Sequence, residues 1–435
     1  MSITVLHVTE ACRIAGTERS LLMLLDHTDR AEFEHIVICR GAGGLAEEVA
    51  RRNVRMAVIP RFGKLDPIAV IRFVHLLTKV KPDVVHICGG RLEAIAARVM
   101  GMPVVERKNV ARNEFYRPLF GYRWADLLLN RFVNASIVPA AALESYYRGR
   151  GYRRADIRVI YNGVEPAPPR TPDDLAAKRA ELGLRSSDFV VAFAGRLQPV
   201  KGIDVLLRAI ASLPDSVRCV IAGDGPHRAE YEILAGKLGL TDRAIFTGYR
   251  TDVREIFACA DVVAVPSAAE ALANTTLEAM AEGKPVVSTS AAGQDEAIEH
   301  GVTGLLASPD DAPALAAALG RLAANPAEAR SMGAAGRRKA ETLLSPQRMA
   351  RQTESIYRDL LHRQRNERIC NVADCRQKAV QEDAAPRRPD QDEQVQQHAL
   401  SAAGGDVHCR GAGGERLQRR SARRLGRRPV GSADS

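Results

Sequence analysis

The pattern that most restricts this chain is an alternation of short β-branched runs with helical stretches. It starts once, stops at a proline-rich break and starts again. Ile3–Val8, His35–Cys39, Met56–Ile59, Val84–Ile87, Val104–Glu106 and Ser136–Val138 read as strands, and Thr17–His27, Leu45–Arg52, Pro67–Val80 and Leu92–Met100 between them carry apolar residues at helical spacing. Strands apolar on both faces must be covered on both faces, and helix-long crossovers make successive strands parallel. After Pro166-Ala167-Pro168-Pro169 the pattern resumes, with strands at Phe189–Ala194, Arg218–Ala222, Ala244–Phe246, Val262–Val265 and Val286–Ser288. The reading is α/β: two Rossmann-like, doubly wound parallel-sheet domains, residues 1–170 and 171–345, facing a cleft. Ser345-Pro346 opens a last helix, 346–361, with Ser as cap and Pro in the first turn. Its apolar positions Met349, Ile356, Tyr357 and Leu360 suit packing on one side.

Length and composition agree with this division. At about 150 residues per domain, 435 residues suit two domains and an appendage. No apolar run approaches the roughly 18 residues that span a bilayer. The opening run Ile3–Val8 lacks a basic leader and reads as a strand, so the expected location is a reducing cytosol. Cysteines 12, 39, 88, 219 and 259 are widely spaced and read as thiols. The net charge of +10 is uneven: residues 1–170 hold 26 basic and 17 acidic residues, 171–361 hold 21 and 25, and 362–435 hold 15 and 10. A basic first half points to an anionic partner. Residues 362–435 contain no aromatic residue and nine Ile, Leu, Val or Met. Such a segment cannot bury enough apolar area to order itself, and is expected to be a disordered basic tail. Its Cys370, Cys375, His398, His408 and Cys409 fit no standard zinc spacing.

In open α/β sheets ligands bind beyond the carboxyl ends of strands, so chemistry is expected on the loops that follow them. Two such loops in the second half stand out. Gly195-Arg196-Leu197-Gln198-Pro199-Val200-Lys201-Gly202 follows a strand and precedes a helix. Its two cations suit a diphosphate, Arg196 through a planar fork and Lys201 as a point charge, although a solvated basic loop would read the same. Pro266-Ser267-Ala268-Ala269-Glu270 follows another strand, and Asn274 or Thr275 is expected to cap a helix running to Glu282 that carries Glu278. The start of that helix offers unpaired N–H groups and positive dipole charge to an anion. Taken alone, Glu278 is equally an ordinary surface carboxylate.

Together these stretches resemble the retaining glycosyltransferases of family 4, which have the GT-B fold. The resemblance rests on G-R-L-x-P-x-K-G, then P-S-x-x-E, then a second Glu eight positions on in L-E-A-M-A-x-G-x-P-V-V. Tyr161-Asn162-Gly163-Val164, Gly223-Asp224-Gly225-Pro226 and Gly301-Val302-Thr303-Gly304 agree in order. It covers residues 1 to about 361 and is strongest over 190–312. It implies that Arg196 and Lys201 neutralise the donor diphosphate, that Glu278 holds the ribose hydroxyls and that Glu270 binds donor-sugar hydroxyls beside the reacting carbon. Backbone N–H groups at Ala273, Asn274 and Thr275 would face sugar or phosphate. Gly16, in Ala15-Gly16-Thr17-Glu18-Arg19, would meet the pyrophosphate from the first domain. The last helix would cross back onto that domain.

Two positions depart from the family pattern. Ala271 replaces a glycine after Glu270, where a methyl group disfavours positive φ and narrows a sugar pocket. Asn109, beside Arg107, falls where many members carry a histidine near the reacting carbon; both are candidate acceptor contacts. His7 and His86 read as histidines at strand ends, structural in preference to catalytic.

The resemblance implies no cofactor and no metal, since cations and helix dipoles stabilise the leaving nucleotide. The expected partners are a nucleotide-sugar donor and a glycan or lipid-linked acceptor, in cell-surface polysaccharide or lipopolysaccharide synthesis. Residues 107–124 interleave Arg107, Lys108, Arg112, Arg117 and Arg123 with Phe115, Tyr116, Phe120, Tyr122 and Trp124. This suits an anionic membrane surface, with the protein peripheral at the inner face of the cytoplasmic membrane; nucleic acid is the less favoured partner. An inactive nucleotide-sugar binder and a sugar-nucleotide epimerase of the same fold are the alternatives. A nicotinamide oxidoreductase is disfavoured because Gly41-Ala42-Gly43-Gly44 follows the second strand and lacks the dinucleotide frame.

Overall fold

The computed structural model describes residues 2–383 apart from positions 11, 13, 15, 62–65, 109–127, 129, 153–155 and 291–292. Met1–Ile369 forms one compact unit that holds both sheets; Cys370–Ser435 is a second unit.

The first sheet has seven parallel strands: β1 (Ile3–Thr9), β2 (Phe33–Cys39), β3 (Arg55–Val58), β4 (Val84–Cys88), β5 (Val104–Arg107), β6 (Ala135–Val138) and β7 (Asp156–Val159). Their order is β3-β2-β1-β4-β5-β6-β7. The described helices of this half are α1 (Gly16–His27), α2 (Gly44–Arg51), α3 (Pro67–Val80), α4 (Arg91–Val99) and α5 (Ala141–Gly149). The second sheet has six parallel strands: β8 (Phe189–Ala194), β9 (Val217–Ala222), β10 (Ala244–Gly248), β11 (Val262–Val265), β12 (Val286–Thr289) and β13 (Gly304–Ala307). Their order is β10-β9-β8-β11-β12-β13. Around them lie α6 (Pro172–Glu181), α7 (Ile203–Ala211), α8 (Arg228–Lys237), α9 (Val253–Cys259), α10 (Asn274–Ala281), α11 (Gln294–Ala297), α12 (Ala312–Ala324) and α13 (Pro326–Leu343). The strand order reverses between β1 and β4 in one sheet and between β8 and β11 in the other. Those reversals open the crevices where loops can meet a ligand. The two cation- and carboxylate-bearing loops read from the sequence follow β8 and β11.

β7 and β13 were not anticipated. β7 is an edge strand that alternates charge with apolar residues, and β13 (Gly304-Leu305-Leu306-Ala307) has no β-branched residue. Pairing with an already formed neighbour supplies what local propensity lacks.

The last helix, α14, spans Pro346–Asp383. Ser345 Oγ accepts the Arg348 N–H at 3.3 Å. Met349, Ala350, Ile356, Tyr357 and Leu360 pack with Val5, Leu24, Phe33, Val84, Val105 and Ile137, so the helix lies on the first sheet. The expected end at 361 is corrected, and residues 362–383, expected to be disordered, are helical. That stretch has no Gly or Pro, and a helix already nucleated by packing extends through good helix formers without needing an apolar face. The remaining tail, 384–435, lies outside the described residues.

His7 and His86 are structural, as expected, and differ only in placement. They sit inside β1 and β4, fully buried, where strand ends were expected. His7 Nε2 lies 2.9 Å from His35 Nδ1, and His86 Nδ1 lies 2.6 Å from the Tyr357 hydroxyl. Burial drives all three histidines below their ordinary pKa, His35 to about 4 and His86 to about 3, with Arg30 and Arg107 adding repulsion at His35 and His86 respectively. They form a neutral polar seam under α14 and do not face the cleft. Cys12, Cys39, Cys88, Cys219 and Cys259 are free thiols.

Candidate active site

The loop after β8 is held by backbone geometry. Gly202 has φ of +64°, and a Cβ there would fall 2.0 Å from the Pro266 carbonyl oxygen. The loops after β8 and β11 are therefore in direct contact, tied also by the Ala268 N–H donating to the Val200 carbonyl at 2.9 Å. This places Lys201 against Glu270: Nζ lies 2.5 Å from Oε2, which also accepts from Ser267 Oγ at 3.0 Å. Arg196, in the same loop, is exposed and has no hydrogen bond or ion pair among the described residues. The structure thus joins Lys201 to Glu270 and leaves the Arg196 fork available.

α10 begins at Asn274, and its N-cap is Ala273, with no side-chain capping bond. The expected caps are corrected. Thr275 Oγ1 donates to the Ala194 carbonyl at 3.3 Å, while Asn274 reaches across to the first domain. Asn274 Oδ1 accepts from Asn162 Nδ2 at 2.7 Å, and Asn274 Nδ2 donates to the Gly16 carbonyl at 3.3 Å. The first turns of α1 and α10 therefore touch. Two helix N-termini, each with partial positive charge, come together there, and Thr275 ties α10 to Ala194, just before the loop of Arg196 and Lys201; such a junction favours an anion.

Glu278, on α10, receives Arg19 Nη1 of α1 at 2.5 Å. Its side chain is 13% exposed and that of Arg19 45%. Burial raises the Glu278 pKa, while Arg19 and, less, Arg254 pull it down. One turn further on, Glu282 is held by Arg170, and by Arg254 at 2.7 Å.

Arg107 does not stand open to an acceptor. It is 6% exposed and donates to Asn162 Oδ1, so it braces the Asn162–Asn274 bridge. Lys108 is also turned inward, 2.5 Å from Glu106 and 5.3 and 5.1 Å from the rings of Tyr147 and Tyr152. Two cations assigned to a membrane-facing patch are therefore internal: each finds a buried partner that the local sequence does not reveal. Asn109 and the rest of 109–124 lie outside the described residues.

Ala271 is accommodated without backbone strain. Among the described residues the non-glycine positions with positive φ are Asn53, Lys81 and Asp310. Its methyl group packs on the first-domain cluster of Val138, Leu143, Tyr147, Tyr152 and Ile157. The domains are further joined by Glu296 of α11. Its carboxylate accepts the N–H groups of Ala141 and Ala142 at 2.7 and 2.8 Å and the Tyr161 hydroxyl at 2.9 Å. It thereby caps α5, whose own N-cap, Ala140, has no capping side chain. Sequence reasoning missed Asn162, Glu296 and the Arg19–Glu278 pair. Asn162 left a signal in the Tyr161-Asn162-Gly163-Val164 motif and Arg19 in Ala15-Gly16-Thr17-Glu18-Arg19, but nothing in the sequence paired Arg19 with Glu278 or marked Glu296.

Two parallel-sheet α/β domains, with cations, carboxylates and two helix ends gathered where their switch-point loops meet, define a GT-B protein. Residues 14–167 match the family model "Glycosyltransferase Family 4" and residues 175–339 match "Glycosyl transferases group 1". The chain belongs to this glycosyltransferase family. A D-inositol 3-phosphate glycosyltransferase from Mycobacterium sp. (strain KMS) is 43% identical over 158 residues, 34% of this chain and 35% of the relative. The match thus spans about a third of that relative's length. HepE from Anabaena, solved in complex with UDP and glucose, has a TM-score of 0.74 at 24% identity, covering 82% of this chain and 100% of that one. A glycosyltransferase from Rickettsia africae has a TM-score of 0.72 at 20% identity, covering 83% and 99%. Among the described residues no helix is long and apolar enough to cross a membrane, and no cluster of His, Cys, Asp and Glu suits a metal ion.

Proposed function

We propose that the chain transfers a sugar from a nucleotide-diphosphate sugar to a hydroxyl of an acceptor held by the first domain, with retention of the anomeric configuration. The observation that carries this reading is the meeting of the α1 and α10 N-termini beside Arg196 and Lys201. The diphosphate sits at that junction. Arg196 takes it through the guanidinium fork and Lys201 as a point charge. Glu278 accepts the ribose hydroxyls, and Glu270, oriented by Lys201 and Ser267, accepts hydroxyls of the donor sugar. Backbone N–H groups at Ala273, Asn274 and Thr275 face sugar or phosphate, and Gly16 lets the first domain approach the pyrophosphate closely.

The acceptor oxygen bonds to the anomeric carbon on the face from which the nucleotide leaves. The bond from that carbon to the phosphate oxygen breaks with its electron pair. The departing phosphate takes the acceptor's proton. Arg196, Lys201 and the two helix ends stabilise the charge that grows on the leaving phosphate, so the reading needs no metal. The acceptor is a glycan, lipid-linked or phosphorylated polyol, the last suggested by the inositol 3-phosphate in the relative's name, and the product belongs to cell-surface polysaccharide or lipopolysaccharide. The basic first domain supports an anionic acceptor presented at the inner face of the cytoplasmic membrane.

Incubation with UDP-, GDP- and ADP-sugars and each acceptor class, followed by NMR of the new anomeric proton, tests this. The expected product keeps the donor's configuration and forms in EDTA. An inverted product would overturn retention. Donor binding without transfer or hydrolysis would favour the inactive binder, and isomerised donor the epimerase.

A further inference from the structure

We propose that Arg19 and the donor's ribose compete for Glu278, and that Arg19, once displaced, binds the donor diphosphate from the first-domain side. This rests on the reading that Glu278 is the ribose acceptor.

The competition follows from geometry. A carboxylate can hold a diol only through its lone pairs. A diol held bidentately uses both carboxylate oxygens, and Arg19 Nη1, at 2.5 Å, already takes Oε1. Glu278 is largely desolvated, and burial raises its pKa, while both Arg19 and Arg254 favour its charged form. Arg254 is a weaker influence on Glu278 and is itself engaged by Glu282 at 2.7 Å. Arg19 is the more exposed member of the pair, its side chain nearly half exposed against 13% for Glu278, so it can leave as the ribose hydroxyls take its place on the carboxylate.

The destination also follows from position. Arg19 lies in the first turn of α1, three residues after Gly16, whose carbonyl is 3.3 Å from Asn274 Nδ2. The guanidinium therefore swings within reach of the junction of the two helix ends. Arg19, Gly163, Arg254, Asn274 and Glu278 line one cavity between the domains. Arg196 and Lys201 both belong to the second domain. Arg19 would be a cation contributed by the first, and its planar fork suits two phosphate oxygens. Exchange of this kind makes the diphosphate, and not the nucleoside, the part of the donor that ties the two domains together.

Calorimetric titration of the full chain with the nucleoside and the nucleoside diphosphate of uracil, guanine and adenine separates the two halves of the proposal. With Arg19→Ala, the nucleoside that the wild type accepts should bind about 5-fold more tightly, because its competitor is gone. The matching diphosphate should bind about 10-fold or more weakly, because a charge-assisted contact is lost. Arg19→Lys should recover part of the diphosphate affinity. Equal weakening of both ligands would make Arg19 a structural brace and overturn the exchange, as would no change in either. If the wild type binds none of the three diphosphates, the donor-site reading itself falls and the exchange with it. A thermal midpoint for Arg19→Ala within a few degrees of wild type checks that the fold is kept.

Discussion

Replacing Lys201 with alanine removes the charge that the proposed diphosphate loop sets against Glu270. Lys201 and Glu270 are 22% and 21% exposed, and their contact is 2.5 Å. As a partly exposed ion pair it contributes about 1 kcal/mol to folding, so the variant should melt within about 4 °C of wild type. Its effect on transfer should be far larger. A unit charge about 4 Å from a phosphate oxygen, at an effective dielectric of about 20, is worth about 4 kcal/mol. If that interaction falls mainly on the charge released as the nucleotide departs, kcat/KM should drop about 1000-fold. The assay is the initial rate of nucleotide release in the presence of acceptor, with donor affinity measured separately. Lys201→Arg should restore only part of the rate, because a planar fork does not replace a point charge beside Ser267 and Glu270. A Lys201→Ala protein that is folded and turns over within 10-fold of wild type would refute the assignment of this loop to the leaving diphosphate.

Other consequences follow from the same geometry. Gly202→Ala forces a side chain into φ of +64° and toward a Cβ position 2.0 Å from the Pro266 carbonyl. It should cost about 3 kcal/mol or more and abolish donor binding, read by urea denaturation and thermal shift. His35 and His86 are held near 4 and 3 against an ordinary 6.5, so the folded chain keeps them neutral while the unfolded chain takes up protons below pH 6.5. Stability is therefore fully present above that value and falls by about 4 kcal/mol for the pair between pH 6.5 and 4.5. Urea midpoints should drop steeply over that range, and midpoints that do not move would contradict the neutral seam. Glu296→Ala strips two α5 N–H groups and the Tyr161 hydroxyl of their shared acceptor. It should cost about 1–3 kcal/mol in thermal denaturation, and an unchanged midpoint would mean that the cap carries no load between the domains.

The sheets were legible because their strands are apolar on both faces and their connections are helix-long. β7 and β13 escaped because edge strands and short Leu-Leu pairs carry little intrinsic signal. The long α14 escaped for a different reason. The compositional argument asks whether a segment can fold alone, and 362–383 extends a helix nucleated elsewhere. In the candidate site, Lys201, Glu270 and Glu278 were singled out by the motifs that carry the family resemblance, each of which lies within one strand–loop–helix unit. The partners that fix those residues come from far away. Arg19 and Glu278 are 259 positions apart, and Asn162 and Asn274 are 112 apart. No local pattern encodes such pairs. The same reason turned Arg107 and Lys108 from surface cations into internal ones, and sent Asn274 across the cleft when a helix cap was expected. Ala271 looked like a defect in a glycine position, whereas in the fold its methyl group packs on the opposite domain.

The central claim is that the loops after β8 and β11 hold a nucleotide-diphosphate sugar. Titrating the intact chain with UDP-, GDP- and ADP-sugars, beside the Arg196→Ala variant, tests it most directly. Arg196 is exposed and has no bond among the described residues, so its loss leaves the fold unchanged and removes only what the ligand would feel. The account predicts saturable binding of at least one of the three donors by the wild type, weakened about 10-fold or more in the variant. Binding of none, or equal binding by both proteins, would contradict it.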